Sequence, residues 1–266
     1  MLNEIPEILR IIESIDERKE NRLRPKTKVN HMNTRTTKQT IQISEIMQKE
    51  LSKVGEEILK LLDRNFTLPE IKEKLKIRVG SIITSGVRES YLLGFKFIEN
   101  FEQRTLELNQ VHMKEINDKI KNQIERFWKT TSDIIQEDIK PKKSKSKSPV
   151  ASAAGPEDLL MLNAFNNYFA RSAISMNFSA LNQATITTRR EVFKIETKKI
   201  KVTGSITVPQ SIWVSERDSR VCPICLNLDG RTWAVDDKSM PRPVDDSHDG
   251  CRCRLLPFSG GKVFNA

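Results

Sequence analysis

Apolar residues in 41–66 recur at three- and four-residue spacings, at Ile43, Ile46, Met47, Val54, Ile58, Leu61 and Leu62. That period predicts an amphipathic helix. The tetrad T-L-P-E at 67–70 reads as a turn followed by a helix start, with Thr67 as N-cap, Pro69 near the first helical position and Glu70 three residues after the cap. Leu68, Ile71 and Leu75 continue the stripe, and a further helix is predicted over 81–101. A long, highly charged helix is predicted over 103–138, with Leu106, Val111, Ile116, Ile120, Ile124 and Phe127 as a narrow seam. Such a seam suits a helical hairpin or coiled-coil-like packing. Residues 18–40 hold few apolar side chains and are expected to form a loop.

The pattern breaks at 140–157 (KPKKSKSKSPVASAAGPE), where Ser, Lys, Pro, Ala and Gly replace the apolar stripe. This composition predicts a flexible linker and a domain boundary at 140–156, between a helical region (1–139) and a C-terminal domain (157–266). Helical spacing returns over 158–193, with Leu159, Leu160, Leu162, Phe165, Phe169, Ala173, Ile174 and Phe178 available for burial. Residues 192–214 are rich in β-branched Val and Ile punctuated by Gly204 and Pro209, which favours short strands. Leu228-Asp229-Gly230 is a turn signal, and the segment 231–235 is a predicted strand. The fold class expected is therefore α+β: a largely helical N-terminal region, a Lys/Ser linker, and a C-terminal helix with a small β-rich module.

Charge changes this picture only locally. The chain has 266 residues and a formal net charge of +10, with 37% hydrophobic and 30% charged residues. Residues 1–138 carry 25 Lys/Arg against 23 Asp/Glu, and residues 205–266 carry eight of each. The excess lies in the linker lysines Lys140, Lys142, Lys143, Lys145 and Lys147, and in Arg189, Arg190, Lys198, Lys199 and Lys201 of 187–204. Clustered charge of this kind marks candidate contacts to a polyanion such as DNA, through phosphates and without sequence preference; a solvated tether and a solvated helix end are the alternatives. No apolar run approaches the roughly 20 residues needed to span a bilayer, and the N-terminus lacks the features of a secretory leader, so no membrane association is expected.

The chemistry concentrates at the C-terminal end. All four cysteines fall in the pattern C-x2-C-x22-H-x2-C-x-C, formed by Cys222, Cys225, His248, Cys251 and Cys253. Two soft donors on one turn and a second cluster from a distant stretch suit tetrahedral zinc in a structural role. Five donors compete for four positions: Cys222, Cys225 and Cys251 are favoured, with His248 or Cys253 as the fourth. Disulfides and free thiols are the alternatives. The surrounding segment has few large apolar residues, so a metal staple is physically useful to it.

The stretch WVSERDSRVCPICLNLDG (213–230), then PRP (241–243) and HDGCRCRLLP (248–257), resembles the minor head-morphogenesis proteins typified by phage Mu protein F. The matching positions are Trp213, Asp218, Arg220, Cys222, Cys225, Leu228, Asp229, Gly230, Pro243, His248, Cys251, Arg252 and Cys253. His248 is followed by Asp-Gly where that family often has Pro-Asn, and the helix upstream is only loosely similar. The resemblance implies a non-enzymatic protein of a virion or procapsid, assembled in the host cytoplasm of a tailed virus or provirus. It would associate with the portal and other head proteins, contact viral DNA non-specifically, and act in head assembly or DNA delivery; self-association is compatible with it. Asp218, Arg220, Asp229 and Arg252 are expected to pair with one another and to steady the thiolates. A catalytic part for Asp218 or Asp229 with His248 is the competing reading, as is a nucleic-acid-binding zinc module. Residues 66–88 also admit a helix-turn-helix reading. Trp213 and Trp233 are expected in the core.

Overall fold

The computed structural model describes residues 25–139, 156–200, 208–216 and 221–258. Four long helices come first: α1 (Pro25–Asp63), α2 (Leu68–Glu102), α3 (Gln110–Ile139) and α4 (Pro156–Ile200). An antiparallel sheet follows, formed by β1 (Gln210–Val214), β2 (Thr232–Ala234) and β3 (Arg254–Phe258), with a short helix α5 (Pro223–Leu228) between β1 and β2. The strand order is β2-β1-β3, and Ile212 of β1 faces Thr232 on one side and Leu256 on the other. A largely helical body with a small β module is the α+β class that the pattern predicts.

Local chemistry sets the helix boundaries. Thr67 starts α2 as expected: its N–H and its hydroxyl both donate to the Glu70 carboxylate at 2.7 Å. From there α2 runs unbroken to Glu102 instead of forming two helices. The turn near residue 65 joins α1 to α2 and nothing interrupts α2 beyond it, so the helix-turn-helix reading of 66–88 does not hold. Gln103 closes α2 in the left-handed region (φ 51°), which delays α3 to Gln110 rather than 103. The Asn109 side chain then caps α3, accepting the N–H groups of Val111 and His112 at 2.9 and 3.3 Å.

Two segments expected outside helices are helical. α1 starts at Pro25, inside the predicted loop 18–40. Its polar residues can be buried because Thr36, Thr40 and Ser44 each donate a hydroxyl to the carbonyl four residues back, at 2.7–2.8 Å. α4 continues to Ile200, so of the strand-like stretch 192–214 only Gln210–Val214 is a strand among the described residues. Of the β-branched residues there, Val192 is buried and Ile195 is exposed, and all continue the helix despite their strand preference.

α4 is the axis of the molecule. Almost every residue from Ser172 to Arg189 is buried, whether polar or apolar. Phe165, Phe169, Ala173 and Met176 share one core with Leu51 and Val54 of α1, Val79, Ile83 and Val87 of α2, and Ile116 and Phe127 of α3. The helix after residues 140–156 thus shares one core with the helices before them. Gly94 permits the closest approach, since a Cβ there would stand 2.3 Å from the Leu181 carbonyl oxygen. Leu159 and Leu160, expected to be buried, are exposed.

Polar side chains also tie α3 into this assembly. The Tyr91 hydroxyl lies 2.8 Å from His112 Nδ1 and donates to Glu115 at 2.9 Å. Thr187 of α4 donates to the same carboxylate at 2.7 Å, and Glu191 stands 2.8 Å from His112 Nε2. No described helix is long and apolar enough to cross a membrane.

Candidate metal centre

The centre is built from α5 and the two loops around it, against one face of α4. Cys222 is the N-cap of α5 and Pro223 its first helical residue, so the chain leaves Cys222 extended and turns at once into helix. That geometry brings the Cys225 N–H to Cys222 Sγ at 3.3 Å and points both sulfurs the same way. The turn after α5 is the predicted one: Gly230 has φ 78°, and its N–H donates to the Trp213 carbonyl at 2.9 Å, which fixes α5 to β1. Asp229 accepts the Ser215 N–H at 2.8 Å, at the end of β1.

The second loop comes from residues 240–253. Val244 has φ 73°, an uncommon conformation for a β-branched residue, and it directs the following residues back toward α5. His248 Nδ1 lies 2.9 Å from the Asp249 carbonyl. Donation to that carbonyl leaves Nε2 as the free ring acceptor, 3.5 Å from Cys225 Sγ. Cys251 Sγ stands 3.6 Å from Cys225 Sγ. The side chain of Asn182 then holds the start of β3, donating to the Cys253 carbonyl at 2.9 Å and accepting the Leu255 N–H at 3.1 Å.

The five expected donors fall into two overlapping sets. Cys222, Cys225 and His248 form one set and Cys225, Cys251 and Cys253 another, each with its ligand atoms within 4.8 Å of one another. Both sets are capable of coordinating a metal ion, and Cys225 belongs to both. All four cysteines are free thiols. Hydrogen bonding from Cys253 pulls the Cys251 thiol down to about 5. Burial, with the neighbouring Cys251, pushes Cys225 up to about 12, and the hydrogen bond to Cys251 pushes Cys253 upward too. Without a cation the cluster holds one thiolate readily and resists the next, which a divalent ion reverses.

The five donors line a cleft of about 390 Å³, together with Arg171, Glu216 and Arg252. Arg252 lines this cleft, and Asp229 accepts the Ser215 N–H at the end of β1. Asp218 and Arg220 lie outside the described residues. Trp213 is fully buried and Trp233 packs against the same cluster, both in the core as expected.

Of the basic positions, Lys140, Lys142, Lys143, Lys145, Lys147 and Lys201 lie outside the described residues, and Lys198 and Lys199 fall in the last turn of α4. Arg189 and Arg190 turn inward. Arg189 is buried, pairs with Glu102 and donates to the Gln210 carbonyl at 3.3 Å. Arg190 donates to the carbonyls of Val235 and Asp237 at 2.8 and 3.3 Å. Both guanidiniums link α4 to the β module rather than facing a phosphate chain.

Sequence reasoning missed Arg254, which is fully buried on β3. Its guanidinium stacks over Phe97 at 5.2 Å and donates to Thr37 at 3.2 Å, and burial lowers its pKa to about 9. The first four residues of β3 are all buried, so no alternation in the sequence marks an inward arginine. No protein-family model, curated protein or solved structure matches the chain.

Proposed function

We propose that the chain is a head-morphogenesis protein of a tailed virus or provirus, a structural component whose C-terminal module is stapled by one zinc ion. The observation that carries this reading is the convergence of five Cys/His donors, in the order of the head-morphogenesis signature, around Cys225. Zinc–sulfur and zinc–nitrogen bonds of about 2.3 and 2.05 Å give tetrahedral edges of about 3.8 Å between sulfurs and about 3.5 Å between sulfur and nitrogen. The 3.6 Å separation of Cys225 from Cys251 and the 3.5 Å separation from His248 match those edges. Cys222, Cys225 and His248, one of the two sets, would hold the ion, with Cys251 from the other set drawn in as the fourth donor and Cys253 beside it. Zinc supplies a cross-link between α5 and the 240–253 loop.

No reaction is assigned to the site. Asp229 is engaged with a backbone N–H and His248 Nε2 faces a sulfur, which supports a structural role for both. The linker lysines and the lysines at the end of α4 would touch packaged DNA through phosphates. Affinity for random duplex DNA should fall steeply with salt and drop when Lys140, Lys142, Lys143, Lys145 and Lys147 become glutamine; unchanged binding removes DNA from the reading. The viral role predicts portal and terminase genes beside this one and the chain in purified heads. A host metabolic operon around the gene would overturn it.

A further inference from the structure

The loop that carries His248 is held at two points by α3, a helix that contributes no donor to the cluster. At the first point Lys119 reaches Asp245 at 3.3 Å and also donates to Ser179 Oγ, while the Ser179 hydroxyl donates to the other Asp245 oxygen at 2.6 Å. At the second, one Arg126 nitrogen donates to both oxygens of Asp249, at 2.7 and 2.5 Å. Lys119 and Arg126 are seven residues apart, two helical turns or about 10.5 Å along one face. Asp245 and Asp249 are four residues apart, so the two anchors bracket Ser247 and His248.

The second anchor also bears on the ligand itself. Asp249 gives its side chain to Arg126 and its carbonyl to His248 Nδ1 at 2.9 Å. Arg126 therefore fixes the group that sets the ring orientation of His248. The next residue is fixed as well, since the Gly250 N–H donates to Ser175 Oγ of α4 at 2.6 Å. Ser179 is buried, and its hydroxyl is engaged by both Lys119 and Asp245, so this trio serves as an anchor.

We propose that Lys119 and Arg126 are positioning residues for the metal, so that α3 sets the affinity of a site to which it gives no ligand. The inference rests on the zinc reading above. Groups that orient a metal-binding histidine typically govern metal affinity by 10–100-fold. The coupling is reciprocal, so metal binding stiffens α3 in return. Because the Arg126–Asp249 pair is about half exposed, it adds little to global stability. Its effect belongs in metal affinity.

The test is zinc competition against a chromophoric chelator on the full chain, with wild type, Arg126→Gln, Arg126→Lys and Lys119→Met/Arg126→Gln. The account expects one zinc in the wild type, near-normal affinity in Arg126→Lys, and a loss of about 10-fold or more in the double variant. Hydrogen exchange should show zinc slowing the amides of 119–126 in the wild type and slowing them less in Arg126→Gln, a half-exposed substitution that leaves the core intact. Wild-type binding with variant affinities within twofold would overturn this inference and leave the zinc reading standing. A wild type that binds no zinc would overturn both.

Discussion

Asn182 offers the sharpest test of how the helical body holds the metal loop. Its buried amide donates to the Cys253 carbonyl and accepts from the Leu255 N–H, acting as a short extra strand beside the start of β3. Asn182→Leu keeps the volume and removes both bonds. Two buried backbone groups then lose their partners, at about 1–3 kcal/mol each. The expected destabilisation is about 2–6 kcal/mol. At about 2–4 °C per kcal/mol for a chain of this size, a loss of about 3 kcal/mol lowers Tm by about 6–12 °C. Asn182→Asp keeps the acceptor for Leu255 but loses the donor and buries a charge, so it should also be destabilised. Urea and thermal unfolding, at matched metal loading, measure both. An Asn182→Leu protein within about 1 kcal/mol of wild type would refute the claim that this side chain secures the loop.

Three further outcomes follow from other contacts. Gly94→Ala should destabilise by about 1–3 kcal/mol despite the better helix propensity of alanine, because the new Cβ meets the Leu181 carbonyl oxygen at 2.3 Å; a stabilised variant in urea unfolding would contradict that approach. Arg254→Met should be neutral or mildly stabilising, since the buried guanidinium has one hydrogen bond and a stack on Phe97. A loss above about 3 kcal/mol would instead show that the nearby charge of Glu216 holds the guanidinium as an ion pair. Thr67 holds the Glu70 carboxyl below its usual range through its backbone N–H and its hydroxyl. The stability that Glu70 adds is therefore complete above the unfolded-state pKa and fades as pH falls through the lower folded-state value. The difference between wild type and Glu70→Gln should shrink on acidification in that window; a difference constant down to pH 2 would contradict the cap.

The donor set and the start of α2 were legible because both depend on residues close in sequence. C-x2-C places two sulfurs on one turn whatever surrounds them, and Thr67 with Glu70 caps a helix through neighbouring atoms. The first half of α1 was not legible, because Thr36, Thr40 and Ser44 satisfy themselves through carbonyls one turn back and then face buried partners, a polar surface that looks like a loop. The last turns of α4 were hidden for a different reason: Val192, Ile195 and Thr197 are β-branched and read as strand, although they continue the helix. Upstream, Asn177, Ser179, Asn182 and Thr185 are as buried as Phe178 and Leu181. The ties from α3 and α4 to the metal loop connect residues up to 126 positions apart, such as Lys119 and Asp245, and sequence spacing carries no trace of them.

The central claim is that Cys225 is the shared donor of a one-zinc staple. Native mass spectrometry of the chain purified without added chelator tests it directly, beside Cys225→Ser. One zinc per wild-type chain, none in Cys225→Ser, and loss of β-module protection on chelation are the results expected. A metal-free wild-type chain whose β module stays fully protected would contradict the claim.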